Sequence, residues 1–199
     1  MSKRREEMIA ETRAKLIAAA RQAFGTVGYA AAPMDDFTAA VGLTRGALYH
    51  HFGDKKGLLL AVVDEIDAEM CARLKAISAR APSRWQGVVD ESIAYIEMAL
   101  EPDIQRIMFR DGPAVLGDLS LRPSAQRCIE ALTESLAALK ADGLLIDAEP
   151  EALARMINGA SSHAAAWIAS SPEPEETSKQ AVASFRLLLA GLLRQPRAD

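Results

Sequence analysis

Apolar side chains return every three or four positions along most of this chain, and the places where that rhythm stops mark its elements. Leu16, Ile17, Ala20, Ala23 and Phe24 share one face of a helix that begins in the charged stretch after Arg5 and stops at Gly25-Thr26-Val27-Gly28. Pro33 stands where a first helical residue belongs, and the carboxylates of Asp35 and Asp36 favour the positive end of a helix. This second helix is short: Phe37 and Val41 face inward and Gly42 ends it. Thr44 caps a third helix, Arg45 to His51, before Gly53 interrupts and Asp54 caps a long fourth. Three short helices with a glycine-bearing turn between the last two form the helix-turn-helix layout.

Proline and glycine punctuate the rest. Helices are expected from Pro82 to Leu100, Pro102 to about Arg110, Pro123 to Asp142, Pro150 to about Ser170, and about Glu175 to Arg194. Asp111-Gly112-Pro113 is expected to break the chain, and Gly143 and Ser171-Pro172-Glu173-Pro174 separate later helices. That makes about nine helices and no internal repeat. Alanine and leucine number 38 and 22, against 8 valines, 12 isoleucines and 6 threonines, so helix formers outweigh strand formers and the expected fold class is all-α.

Half of the 199 residues are apolar and a quarter are charged, proportions that exclude disorder and collagen. No apolar run is long enough to span a membrane. Met1–Glu11 lacks the apolar core and cleavage site of a secretory signal, so a cytoplasmic protein is expected. Cys71 and Cys128 stand in no CxxC spacing and read as small buried hydrophobes. The net charge of −4 hides a division: residues 1–60 carry 9 basic and 6 acidic side chains, the remainder 14 and 21. A mildly basic segment on an acidic body suggests that one end meets a polyanion.

Catalysis finds no support. The three histidines accompany no GxSxG, no HExxH and no phosphate-cradling loop. Asp35-Asp36 and Asp64-Glu65 are neighbours on helices and face apart, as do His50 and His51, which rules out a shared metal. Neither an enzyme activity nor a cofactor is expected.

Gly28-Tyr29, Met34, Phe37, Ala40-Val41-Gly42-Leu43-Thr44-Arg45-Gly46-Ala47-Leu48-Tyr49-His50-His51-Phe52, Asp54-Lys55 and Leu58, in unbroken spacing, resemble the DNA-binding domain of the TetR/AcrR transcriptional regulators. The resemblance covers roughly residues 10–60. It implies that Thr44, Arg45, Gly46, Ala47, Tyr49 and His50 line the DNA side, with His51 and Lys55 on phosphates. The chemistry agrees: an arginine fork reads guanine O6 and N7, small residues let the backbone approach the groove, and Lys55 opens the fourth helix. Leu48 and Phe52 are expected in the core with Phe24, Phe37 and Val41. The chain departs from the family's pattern at Ala32-Pro33, where a serine or threonine usually caps the second helix; Pro33 preserves the start without the hydroxyl.

The resemblance also implies a division into a DNA-binding domain, 1–54, and an effector-binding and dimerisation domain, 55–199, and a repressor that a small ligand releases from a palindromic operator. A dimeric DNA-binding protein without an effector is the alternative. Trp85, Tyr95, Met98, Ile104, Met108 and Phe109, with Trp167, are the large adaptable side chains of the body and are expected to line an apolar effector pocket. Arg106, Asn158 and His163 are its expected polar groups, His163 being equally well a core or interface histidine. Leu153, Met156, Ile157, Ala160 and Ala164 form one apolar stripe, which Trp167 extends. Val182, Phe185, Leu188, Leu189, Leu192 and Leu193 form another. The two stripes are expected to pair with their copies in a homodimer.

Overall fold

The computed structural model describes residues 3–34, 38, 39, 42 and 45–194. Asp35, Asp36, Phe37, Val41 and Thr44 lie outside the described residues, so only helical Met34, Thr38 and Ala39 represent the expected second helix. The described α-helices are α1 (Lys3–Val27), α2 (Arg45–Phe52), α3 (Lys55–Arg80), α4 (Arg84–Glu97), α5 (Pro102–Arg106), α6 (Gly112–Leu116), α7 (Pro123–Ala141), α8 (Pro150–Ser170) and α9 (Pro174–Ala190). They are all-α architecture. The one β-type pairing among the described residues is an isolated bridge between Leu145 and Leu193. No helix is long and apolar enough to cross a membrane among the described residues.

The helices group into two compact units, one of Met1–Ala68 with Pro102–Gly117 and the other of Glu69–Glu101 with Asp118–Asp199. α3 belongs to both, passing from the first to the second at residue 68. In the first unit Leu16, Ile17, Ala20 and Phe24 of α1 are buried, as the periodicity predicts, together with Leu48, Leu58, Leu59, Val62 and Ile66. Ile104 and Ile107, fully buried, come from the distant segment that packs on α1.

Asp54 caps α3 as expected, its Oδ1 accepting the Gly57 N–H at 2.7 Å. The expected helix start at Pro82 is corrected. α4 begins two residues later, because Ser83 supplies the cap, its Oγ accepting the Gln86 N–H at 3.1 Å. The expected break at Asp111-Gly112-Pro113 is also absent. Ile107–Asp111 forms a π turn in which the Gly112 N–H reaches the Ile107 carbonyl, and α6 continues beyond it. Widening the turn accommodates Pro113, which has no N–H to donate; the chain leaves the helix only at Gly117, φ 87°.

In the second unit α8 packs against α4, α7 and α9. Its inward face, Ala154, Ile157, Ser161, Ala165 and Ile168, is mostly small, so the neighbouring helices approach closely. The last helix ends at Ala190 rather than Arg194. The Arg194 N–H donates to the Leu144 carbonyl at 2.8 Å and the Ile146 N–H to the Leu192 carbonyl at 3.0 Å, an extended pairing incompatible with helix.

Gly57 packs closely on the backbone of the preceding helix. A Cβ there would fall on the carbonyl oxygen of Phe52, the end of α2. Alanine normally stabilises a helix over glycine by about 1 kcal/mol. Here overpacking against backbone dominates, so Gly57→Ala is expected to lower stability by about 1–3 kcal/mol in a urea titration. A raised midpoint would contradict the contact.

Candidate nucleic-acid interface

α2 is two turns long and divides its residues by exposure. Leu48 is wholly buried and anchors the helix, while Gly46, Tyr49 and His50 are exposed, Tyr49 at 45%. His51 is half-buried. Arg45 and Ala47 are helical, but their side chains, like Thr44, lie outside what is described. The His50 and His51 rings stand edge to face, with centroids 5.6 Å apart and planes inclined by 78°. Phe52 is not the core residue expected. It is half-buried and carries the Arg13 guanidinium of α1 over its ring at 5.4 Å.

Lys55, at the first turn of α3, is held rather than loose. Its Nζ stands 4.8 Å above the Tyr29 ring and donates to the Ala30 carbonyl at 3.4 Å. Two of its protons remain for an external acceptor. Tyr29 packs on Phe24 with ring centroids 5.5 Å apart. Its hydroxyl is pushed up from the ordinary tyrosine range, first by burial and then by the Asp54 carboxylate, so it stays protonated at neutral pH.

The corner that carries Tyr29 and Lys55 is fixed by residues the sequence patterns did not single out for it. The Tyr29 N–H donates to Asp111 Oδ2 at 2.7 Å, and Arg106 Nη1 donates to the Thr26 carbonyl at 2.6 Å. Arg21 Nε donates to Asp103 Oδ2 at 2.8 Å. Arg106, expected among the effector's polar groups, thus faces the end of α1. No local signal links partners some eighty residues apart; only α1 packing on Pro102–Leu116 does.

The expected effector residues divide between the units. Ile104, Met108 and Phe109 belong to the first, with Ile104 and Met108 buried. Trp85, Tyr95, Met98, Asn158, His163 and Trp167 belong to the second. There Met98 is buried, Trp85, Tyr95 and Asn158 are half-buried, and His163 and Trp167 are exposed. Tyr95 and Ser162 hydroxyls meet at 3.5 Å. Two open clefts, of about 480 and 530 Å³, are lined by other residues: one by Glu97, Leu100 and α9, the other by α1 with Glu65, Pro102 and Asp103.

Of the expected dimer stripe on α8, Met156 (70%) and Trp167 face outward, Leu153, Ala160 and Ala164 are intermediate, and Ile157 is buried. On α9, Phe185 and Leu189 are core residues of their own unit, Val182, Leu192 and Leu193 are intermediate, and Leu188 is exposed. Leu187, 76% exposed beside Leu188, was missed. α9 is apolar on two adjoining faces, and periodicity does not say which one turns inward.

A sequence model described as "Bacterial regulatory proteins, tetR family" matches residues 16–62, and one described as "Tetracyclin repressor-like, C-terminal domain" matches residues 85–192. The crystal structure of a TetR-family transcriptional regulator from Pectobacterium atrosepticum is 51% identical, covering 96% of this chain and 98% of that one, with a TM-score of 0.88. The transcriptional regulator TtgR of Pseudomonas putida is 41% identical over 66 residues, 33% of this chain and 31% of its own length. The transcriptional repressor AcnR of Corynebacterium glutamicum is 41% identical over 59 residues, 30% of this chain and 31% of its own. The matched stretch is thus about a third of the length of those curated relatives. The chain belongs to the tetR family of bacterial regulatory proteins, which places it among regulators and not enzymes.

Proposed function

We propose that this regulator binds duplex DNA as a homodimer and represses transcription from a palindromic operator. The observation that carries the reading is the sidedness of α2: Leu48 is buried at 0% exposure while Gly46, Tyr49 and His50 are exposed. That is the arrangement of a recognition helix, whose early residues meet base edges and whose flanks meet phosphates. In this reading Arg45 at the head of α2 is assigned the guanine contact, and the motif assigns Thr44, Ala47 and His51 to the same DNA contact. The 1–54 and 55–199 division is functional in this reading, with α3 (Lys55–Arg80) opening the second part. A two-fold dimer placing its recognition helices about 34–36 Å apart enters successive major grooves of a palindrome.

Dimerisation is attributed to the outward faces of α8 and α9, where Met156, Trp167, Leu187 and Leu188 are large exposed apolar side chains of the kind interfaces cover. A small apolar effector that favours a form with the recognition helices wrongly spaced shifts the population off DNA by no more than its differential affinity. The second unit offers Asn158 and the paired hydroxyls of Tyr95 and Ser162 as polar groups for such a molecule. The second reading, a dimeric DNA-binding protein without an effector, is favoured by the burial of Met98, Ile104 and Met108 as ordinary core.

Selection of genomic fragments by the purified protein is expected to enrich a palindrome; enrichment of none defeats the operator reading. On that site Arg45→Ala should cost about 1–3 kcal/mol and relax one base position per half-site. Lys55→Ala should weaken all sequences alike and lower the salt slope by about one.

Sedimentation should give twice the 21.4 kDa chain mass, and Leu187→Glu with Leu188→Glu should return it to the monomer. A monomeric wild type at micromolar concentration removes the interface.

Native mass spectrometry should show a co-purified apolar molecule whose addition releases the operator. Protein that carries none, and that stays on DNA through a screen of apolar compounds, selects the effector-free reading.

A further inference from the structure

The two cysteines, 57 positions apart in sequence, come together in the second unit. Cys71 of α3 and Cys128 of α7 place their Sγ atoms 3.6 Å apart, and both residues are partly accessible. A disulfide bond is about 2.05 Å long, so small side-chain rotations and a modest shift of one helix close the gap. Accessibility matters as much as distance, because a two-electron oxidant must reach one sulfur before the other attacks it.

The position of the pair along the chain is also informative. Cys71 comes just after α3 enters the second unit at residue 69, and Cys128 soon after the chain returns to that unit at residue 118. Between them the chain leaves once, for Pro102–Gly117. A bond between the two sulfurs therefore closes a loop containing the whole excursion and fastens α3 to α7.

We propose that Cys71 and Cys128 are a peroxide-sensitive thiol pair that closes reversibly to an intrachain disulfide, giving this regulator an oxidation input. One thiol ionises and its thiolate attacks hydrogen peroxide, the O–O bond breaks, and a sulfenic acid forms while the departing hydroxide takes up the proton that the thiol released, giving water. The second sulfur attacks the sulfenic sulfur, the S–S bond forms, and its hydroxyl leaves as a second water with the remaining thiol proton. Peroxide is reduced by two electrons and the two thiols are oxidised by two. A dithiol reverses the change by exchange through a mixed disulfide. Half-burial excludes larger oxidants, and the proximity of the second thiol traps the sulfenic acid before further oxidation.

The test uses the full chain, reduced with dithiothreitol, desalted, exposed to a low molar excess of hydrogen peroxide, alkylated with iodoacetamide and mapped without reduction. The expected product is lighter by two hydrogens, unalkylated at both cysteines, and yields a linked peptide pair carrying Cys71 and Cys128. Dithiothreitol restores both alkylation sites. Hydrogen exchange slows over 69–80 and 123–141 in the oxidised form. Cys128→Ser removes the linked peptide and leaves Cys71 as a sulfenic acid that dimedone traps. Full alkylation after peroxide, sulfinic acid without a bridge, or disulfides only between chains each overturns the proposal. None of these readouts uses DNA, so failure here and failure of the operator reading are distinguishable.

Discussion

The end of α1 cannot close on itself. Beyond Thr26 the helix has no further residue to bond that carbonyl, and the chain turns at Gly28 with φ 87°. Arg106 satisfies the carbonyl, and its guanidinium lies so close to Gly28 that a Cβ there would come within 3.1 Å of it. Asp111 receives the next N–H, that of Tyr29. Charge-assisted bonds of this kind contribute about 1–2 kcal/mol each after solvent screening. Their larger effect is positional. They hold the corner on which Tyr29 supports Lys55, and Lys55 starts the helix that follows α2.

The rest of the first unit follows from that corner. Leu48 roots α2 in the core, Asp54 closes the turn after it, and Gly57 lets α3 begin directly against the Phe52 carbonyl. The second unit is built differently, with small residues on the inner face of α8 and larger side chains on the helices around it.

Much of this was legible in the chain because it is local. Leu16, Ile17, Ala20 and Phe24 repeat at helical spacing and are buried. Asp54 lies three residues before the N–H it caps, and the alanine and leucine excess favours helices throughout. The candidate surface on α2 was legible as a motif rather than as geometry. What was hidden depends on partners distant in sequence. Arg106 and Asp111 find α1 only when the units form, and α9 has two adjoining apolar faces whose choice belongs to its neighbours. Asp111-Gly112-Pro113 reads as a break because glycine and proline usually end helices; a wider turn keeps the helix going. The burial of Phe185 and Leu189, against the exposure of Leu187 and Leu188, is decided the same way.

That wider turn has a consequence for register. Arg106 and Asp111 are five positions apart, and in an ideal α-helix, at about 100° per residue, their side chains would point well away from each other. The π turn over Ile107–Asp111 takes up one extra residue and swings Asp111 back toward the side of Arg106, so both reach the same corner. The segment works like a vernier. Losing a single residue within it would restore the α pitch and rotate everything beyond by one position, presenting a different side chain to Tyr29. A change in chain length there, rather than a change of any one side chain, is the mutation to which the placement of α1's end is most exposed.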